Sequence, residues 1–235
     1  MARSERDIDV AAMFDRVAPR YDRLNRVLSW GRDRVWRRRT AALARVGPGE
    51  VALDVGVGTG DLAFDLLEAS DPSSRVVGVD LSERMLELVR ARAAASPLGA
   101  RFEARVADAH ALPFADGEFD RVVAGFTVRN FTDLDAGLRE MRRVVRAGGR
   151  AVILEFSMPP NPVVRALYRA YVHGPMPLVA AALGGDAAAY RYLPRSIDRF
   201  PTADELARRL HGAGFRGVRF ERLMLGGTAI HIAEP

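Results

Sequence analysis

Cysteine is absent from this chain of 235 residues. Disulfides, thiolate metal sites and a cysteine nucleophile are thereby excluded. Lysine is absent as well, since all 35 basic residues are arginine. Neither a Schiff-base lysine nor a lysine general base is available. No run of about 18 or more apolar residues occurs, so a membrane-spanning helix is not expected. Met1 to Val10 is polar and charged and lacks the basic start and apolar run of a secretion signal. These absences fit a reducing cytoplasm, and a cytoplasmic location is the expectation. The net charge of +5 is not accompanied by an aromatic-basic module, so no nucleic-acid partner is expected. The densest basic cluster, Arg32, Arg34, Arg37, Arg38 and Arg39, reads either as a solvated helix face or as an attraction for anionic lipid.

Apolar residues at 49% and charged residues at 28% describe an ordinary globular protein. Apolar spacing of three and four predicts helices over Asp9 to Val17 and Asp22 to Leu43. From Glu50 the pattern changes to short buried-type strands alternating with helices. Strands are expected at Glu50–Val55, Arg75–Asp80, Arg101–Ala107, Phe119–Ala124 and Arg150–Phe156. Helices are expected at Asp61–Glu68, from Ser82 to about Ala95, and at Leu134–Val145, the last stopped by Gly148-Gly149. This alternation implies an α/β fold with a mostly parallel sheet. Met158 to Gly185 is apolar but broken by Pro159, Pro160, Pro162, Pro175 and Pro177, and reads as an insertion or lid over the sheet end. A helix at Thr202–His211 and strands at Gly217–Leu223 and Thr228–Ala233, joined through Gly226-Gly227, complete the sheet.

The strongest chemical signal is Leu53-Asp54-Val55-Gly56-Val57-Gly58-Thr59-Gly60-Asp61. Glycines at the end of a strand let the backbone turn sharply and approach a ligand closely. Asp80 ends the second strand about twenty residues further on, where a carboxylate can accept ribose hydroxyls. Asp54 and Asp61 beside this loop would repel a pyrophosphate but tolerate the ammonium and sulfonium of S-adenosylmethionine (SAM). Asp61 also reads as a plain helix cap, and Asp54 as a strand-end acid bonded to loop amides. Asp108-Ala109 ends the third strand, either as an acceptor for an adenine amino group or as a turn. Together these residues resemble the class I SAM-dependent methyltransferases, with a Rossmann-like seven-stranded sheet and helices on both faces.

Further segments resemble the menaquinone and ubiquinone C-methyltransferase family. They are the run from Phe14 through Val17-Ala18, Tyr21-Asp22, Asn25, Ser29 and Gly31 to Trp36; Val128-Arg129-Asn130-Phe131-Thr132-Asp133; Leu154-Glu155-Phe156-Ser157; and Asp186 through Tyr190, Tyr192 and Ser196. The sequence departs from the family pattern at Val57, Gly125 and Thr127. The resemblance implies one methyltransferase domain over 1–235. It divides into an N-terminal helical cap (1–46), a SAM-binding core (50–157), a lid or substrate insertion (158–198) and a C-terminal helix with strands (199–235).

The resemblance further implies C-methylation of a prenylated quinol, demethylmenaquinol to menaquinol. The alternatives are the ubiquinone-pathway benzoquinol or another phenolic small molecule. The expected cofactor-binding residues are Asp54, Gly56, Gly58, Thr59, Gly60, Asp80, Leu81, Asp108, Ala109, Gly125 and Tyr21, and no metal is expected. Arg129 and Asn130 are the expected catalytic pair, Arg129 stabilising a phenolate unless it is a salt-bridge partner of Asp133 or Glu155. Tyr190, Tyr192 and His173 are candidates to contact the ring or take a proton, unless they merely pack. Peripheral contact with the inner face of the membrane and a homodimer are compatible with the sequence.

Overall fold

The computed structural model describes residues 10–18, 21–182 and 187–235. The sequence-read alternation appears as β1 (Val51–Val55), α4 (Asp61–Ala69), β2 (Arg75–Asp80), α5 (Glu83–Ala94), β3 (Phe102–Val106), β4 (Phe119–Gly125), α6 (Leu134–Val144) and β5 (Val145–Phe156). Three helices precede it: α1 (Val10–Val17), α2 (Tyr21–Leu28) and α3 (Arg32–Ala44). After β5 come α7 (Pro162–His173), α8 (Pro175–Ala182), α9 (Ala187–Arg199), α10 (Ala203–Gly212), β6 (Gly217–Leu223) and β7 (Thr228–Glu234). The seven strands form one sheet in the order β3-β2-β1-β4-β5-β7-β6. The pairings from β3 to β5 are parallel, and β7 runs antiparallel to both β5 and β6.

Alternation along the central strands sends neighbouring residues to opposite faces. Leu53, Val122 and Ile153 pack with Leu138 and Met141 of α6 and Leu206 and Leu210 of α10. Ala52, Val123 and Val152 pack with Trp36 and Ala41 of α3, Leu62 and Leu66 of α4, and Leu86 of α5. The strand order reverses between β1 and β4, and the crevice at their carboxyl ends is where open sheets of this kind bind ligands. Among the described residues no helix is long and apolar enough to cross a membrane.

The structure corrects the sequence reading at several places. The helix expected from Asp22 to Leu43 is two helices, because Trp30 (φ 56°) and Gly31 (φ 73°) take left-handed backbone between them. The Ser29 hydroxyl accepts from the amide of Asp33 (3.3 Å) and donates to its carboxylate (2.7 Å), holding the start of α3. Gly148-Gly149 does not stop α6, which ends at Val144. The pair lies inside β5, where the register against β4 shifts between Phe119 and Arg121. The proline-rich stretch is largely helical. Asn161 caps α7 through the amides of Val163 (2.9 Å) and Val164 (3.2 Å), with Pro162 in the first turn, a position where the missing N–H costs nothing.

Candidate active site

The loop after β1 takes its shape from three left-handed glycines, Gly56 (φ 74°), Gly58 (φ 52°) and Gly60 (φ 89°). A Cβ on Gly56 would lie 2.1 Å from Cγ2 of Thr127, whereas one on Gly58 would meet nothing within 4 Å. The first glycine permits packing and the second leaves an open cradle. Asp80 fixes the loop: its Oδ2 accepts from the amide of Gly58 (2.9 Å) and its Oδ1 from the amide of Ser82 (2.9 Å). Burial raises the Asp80 carboxyl, opposed by these amides, and the nearby Asp15 raises it further. Each Asp80 oxygen therefore keeps a lone pair for another donor. Leu81, next in sequence, is 54% exposed. Asp61 opens α4 but is not its cap, which is Gly60. Asp61 pairs with Arg92 at 2.8 Å, so its charge is already answered.

Asp54 departs from the strand-end acid bonded to loop amides. It is buried, and neither carboxylate oxygen closes a hydrogen bond of good geometry, although the Ala63 amide of α4 lies near enough to lower it. Burial pushes its carboxyl up to about 7, with Arg37 lowering it and Asp80 raising it. Arg37 is the site residue that the sequence reading missed. It is 6% exposed, not part of a solvated face. Its signal was present: Asp33, Trp36, Arg37, Thr40, Ala41 and Ala44 are all buried, at helical spacing that places Arg37 on the inward stripe.

The N-terminal helices close over the loop. The Thr59 hydroxyl donates to Asp22 of α2 (2.6 Å), and the Ser82 hydroxyl donates to Asp15 of α1 (2.5 Å). Burial raises the Asp22 carboxyl, while the bond from Thr59 lowers it. Tyr21 opens α2 and Tyr190 lies on α9, and the side chains of both fall outside the described residues.

At the end of β3, Asp108 bonds both the amide (2.9 Å) and ring Nδ1 (2.6 Å) of His110. Partial burial raises the Asp108 carboxyl, but the His110 contacts outweigh this and hold it below the usual range. The Asp133 amide donates to Nε2 of His110 (3.3 Å), so the proton sits on Nδ1 and points at Asp108. His110 also stacks edge-on against Phe131 (5.4 Å), tying the end of β3 to the turn after β4. Ala109 is half-buried beside Asp108.

That turn carries Arg129 and Asn130 on a short 3-10 helix, Val128–Asn130. Arg129 Nη1 lies 3.0 Å from Glu155, with side chains 6% and 1% exposed. It also donates to the carbonyl of Phe126, and its guanidinium carbon lies 5.2 Å from the Phe156 ring centre. Tyr192 of α9 donates to Asn130 Oδ1 (3.0 Å). Burial raises the hydroxyls of both Tyr192 and Tyr168, and Arg129 and Glu155 act electrostatically on each. The salt-bridge alternative for Arg129 is thus realised with Glu155. His173 is not among these groups. It sits exposed at the end of α7, paired with Asp198 at 2.8 Å. The Val57 side chain is buried against Gly78 of β2. Gly125 ends β4, and a Cβ there would lie 3.3 Å from Arg37 Nη1.

A family model described as the ubiE/COQ5 methyltransferase family matches residues 1–234. The chain belongs to that family. It is 45% identical to the demethylmenaquinone methyltransferase of Thermus thermophilus, over 94% of this chain and 99% of that one. It is 41% identical to the ubiquinone/menaquinone biosynthesis C-methyltransferase UbiE of Geotalea uraniireducens, over 98% of both chains. Among solved structures, the [4+2]-cyclase SpnF aligns with a TM-score of 0.71 over 99% of this chain and 97% of that one. At 19% identity this is a likeness of fold. This family member is a methyltransferase with SAM as its methyl donor. Its residues suit that donor: the cradle at Gly58 is open, and the orphaned oxygens of Asp54 await a cationic or hydrogen-donating group.

Proposed function

We propose that this methyltransferase transfers a methyl group to a ring carbon of a prenylated quinol, converting demethylmenaquinol to menaquinol. The observation that carries this reading is the likeness, across nearly the whole chain, to proteins named for that reaction. The match includes the α7–α9 segments that lie outside the nucleotide-binding core.

When bound, SAM supplies an electrophilic methyl group. In this reading the chain's residues hold it at the crevice between β1 and β4. Asp80 accepts the ribose hydroxyls with its remaining lone pairs, and Gly56, Gly58 and Gly60 let the backbone approach. Thr59, tied to Asp22, sets the wall on the side of α2. Leu81 offers an apolar surface to the adenine, with Asp108 and Ala109 at its amino edge. Gly125 leaves room at the end of β4. Tyr21 and Tyr190 are assigned to closing the cofactor and ring pockets from α2 and α9.

A quinol carbon becomes a stronger nucleophile as a ring hydroxyl gives its proton to solvent. As the carbon–methyl bond forms, the sulfur–methyl bond would break to leave a neutral thioether, and the ring carbon then loses its own proton to solvent and regains aromaticity. A fixed cation that stabilises the phenolate therefore lowers the barrier. Arg129 is assigned this task, since it keeps its charge and Glu155 holds it in place. Asn130 orients the ring hydroxyl, and Tyr192, which keeps its own proton at neutral pH, orients Asn130. His173 has no part in this reading because it is exposed and engaged with Asp198. Supplying labelled SAM with demethylmenaquinol or a demethylated prenyl benzoquinol tests the substrate. Label extracted in the naphthoquinol supports the reading, and label in neither contradicts it.

The prenyl tail places the reaction at a lipid surface. Exposed Trp30, Val163, Leu167 and Leu178, 68–79% accessible, gather around α7 and α8. Trp30 Nε1 donates to the Tyr171 hydroxyl of α7 (3.3 Å). Arg26, Arg32 and Arg34 near Trp30 in sequence, and Arg165 on α7, are also exposed, and their charge suits an anionic leaflet. Flotation with anionic vesicles tests this peripheral contact; protein that stays wholly in the aqueous fraction contradicts it.

A further inference from the structure

A cleft of about 760 Å³ lies between α6, α10 and the turn that joins α9 to α10. None of the residues lining it is assigned to the donor or to the acceptor ring. Four arginines from three helices line it: Arg139 of α6, Arg199 at the end of α9, and Arg208 and Arg209 of α10. Three acids line it too, and each is already engaged. Both oxygens of Asp135 accept from Arg209 (2.9 and 2.7 Å). Asp198 pairs with Arg169 (3.2 Å) and His173 (2.8 Å) of α7. Glu205 turns back on the cap of its own helix, accepting from the amide and the hydroxyl of Thr202 (2.8 Å each). Arg139, Arg199 and Arg208 are exposed, and among the described residues they close no ion pair or hydrogen bond.

Three cations thus share one concavity without a counter-ion. Elsewhere on this surface exposed arginines close on a nearby acid, as Arg39 does on Glu221, Arg90 on Glu83 and Arg222 on Asp204. In the cleft the acids are held by other donors, and an arginine or a helix amino terminus answers the charge of each. The volume fits a small organic ligand, and Met158, Phe200, Pro201 and Ala213 give part of the wall an apolar surface. A guanidinium is a planar fork of donors that matches the oxygens of a carboxylate or a phosphate. One fork satisfies a carboxylate, whereas three forks from three helices match a group with three terminal oxygens. We propose that the cleft is a phosphoryl-binding site in which Arg139, Arg199 and Arg208 hold the oxygens of a phosphate ester. Asp198 ties the cleft to α7, where Val163 and Leu167 are exposed, so the ester belongs either to a soluble metabolite or to the headgroup of an anionic lipid. The site does not depend on which acceptor is methylated.

Two probes carrying the same phosphoryl group test this on the full chain: glycerol phosphate by titration calorimetry, and phosphatidylcholine vesicles containing phosphatidic acid by flotation. Replacing all three residues, Arg139→Gln with Arg199→Gln and Arg208→Gln, is expected to weaken binding by about 30-fold, through lost charge-assisted bonds. Replacing exposed arginines outside the cleft, Arg45→Gln with Arg75→Gln and Arg216→Gln, removes the same charge and is expected to leave binding within about twofold. A selective loss with glycerol phosphate assigns the soluble ester, and one seen only with vesicles assigns the lipid headgroup. Equal losses in the two variants reduce the effect to net charge and overturn the site. No loss in the cleft variant, or a wild type that binds neither probe, overturns it as well. Should the triple cleft variant fail to fold, Arg208→Gln alone is expected to weaken binding about tenfold, and unchanged binding there overturns the proposal.

Discussion

Arg129 and Glu155 form an ion pair that is almost wholly enclosed, 3.0 Å between Nη1 and the carboxylate. Glu155 also accepts the amides of Arg129 (3.2 Å) and Phe156 (2.9 Å). The carboxylate therefore fixes both the cation and the turn that presents it, just after the carboxyl end of β4. Removing one partner of a buried pair strands the other and costs about 3–5 kcal/mol, whereas replacing both by apolar groups often costs far less. Arg129→Met and Glu155→Met are each expected to be strongly destabilising, and the double variant less so than their sum, as read by denaturant unfolding. Turnover stays lost in the double variant if Arg129 stabilises the phenolate. Recovery of turnover along with stability would make the pair purely structural.

Tyr192 reaches Asn130 with a hydrogen bond of 3.0 Å. Burial holds its hydroxyl above the ordinary range, so Tyr192 is a donor at neutral pH and not a base. Tyr192→Phe is expected to lower kcat by about tenfold, the size of one ordinary hydrogen bond, with the affinity for S-adenosylhomocysteine unchanged. A loss confined to KM for the quinol would assign the tyrosine to binding instead.

The Asp54 carboxyl lies at about 7 in the folded protein and at about 4 in an unfolded chain. Between these values the folded state holds a proton that the unfolded state has released. The contribution to stability therefore falls as pH rises from about 4 to 7 and levels off above. Arg37 and Asp80 are the charges facing the group. Asp54→Asn is expected to melt higher than wild type at pH 8, with the gap narrowing towards pH 5. A constant difference in melting temperature across this range contradicts the shifted carboxyl.

Thr127 stands where the resemblance calls for glycine, and it occupies the space beside Gly56. Its hydroxyl donates to the carbonyl of Gly56 (3.2 Å), and a Cβ on Gly56 would lie 2.1 Å from Cγ2 of Thr127. Gly56→Ala is expected to be destabilising both by this overlap and by about 1–2 kcal/mol for left-handed backbone on a residue with a side chain. In a Thr127→Gly background the overlap is relieved and the backbone cost remains. Thermal melts of the two single variants and the double variant give the coupling; strict additivity would mean that the two residues do not meet.

Much of this was legible in the sequence where local chemistry sets the structure. The glycines between Gly56 and Gly60, the acid ending β2, Ser82 as a cap and the strand alternation all appear at their expected positions. The misreadings share a cause: a residue type carries different meanings at different helical positions. Pro162 and Pro175 looked like breaks but open α7 and α8. Trp30 and Gly31 gave no sign that both would take left-handed backbone and split one amphipathic run into two. Arg37 was hidden among neighbouring arginines, because a run of like charge reads as surface unless it is phased against the burial of Trp36 and Ala41. The state of Asp54 was beyond sequence altogether, since it depends on how α3 packs over β4, β5 and α4.

The central claim is ring-carbon methylation of a quinol by this chain. Incubation with trideuteromethyl-labelled SAM and reduced demethylmenaquinol, with the extracted product analysed by mass spectrometry and NMR, tests it most directly. The expected product carries the labelled methyl on the free ring carbon, and Arg129→Met abolishes it while calorimetry still shows S-adenosylhomocysteine bound. A label on a ring oxygen, or no labelled quinol from wild-type protein that binds S-adenosylhomocysteine normally, would contradict the account.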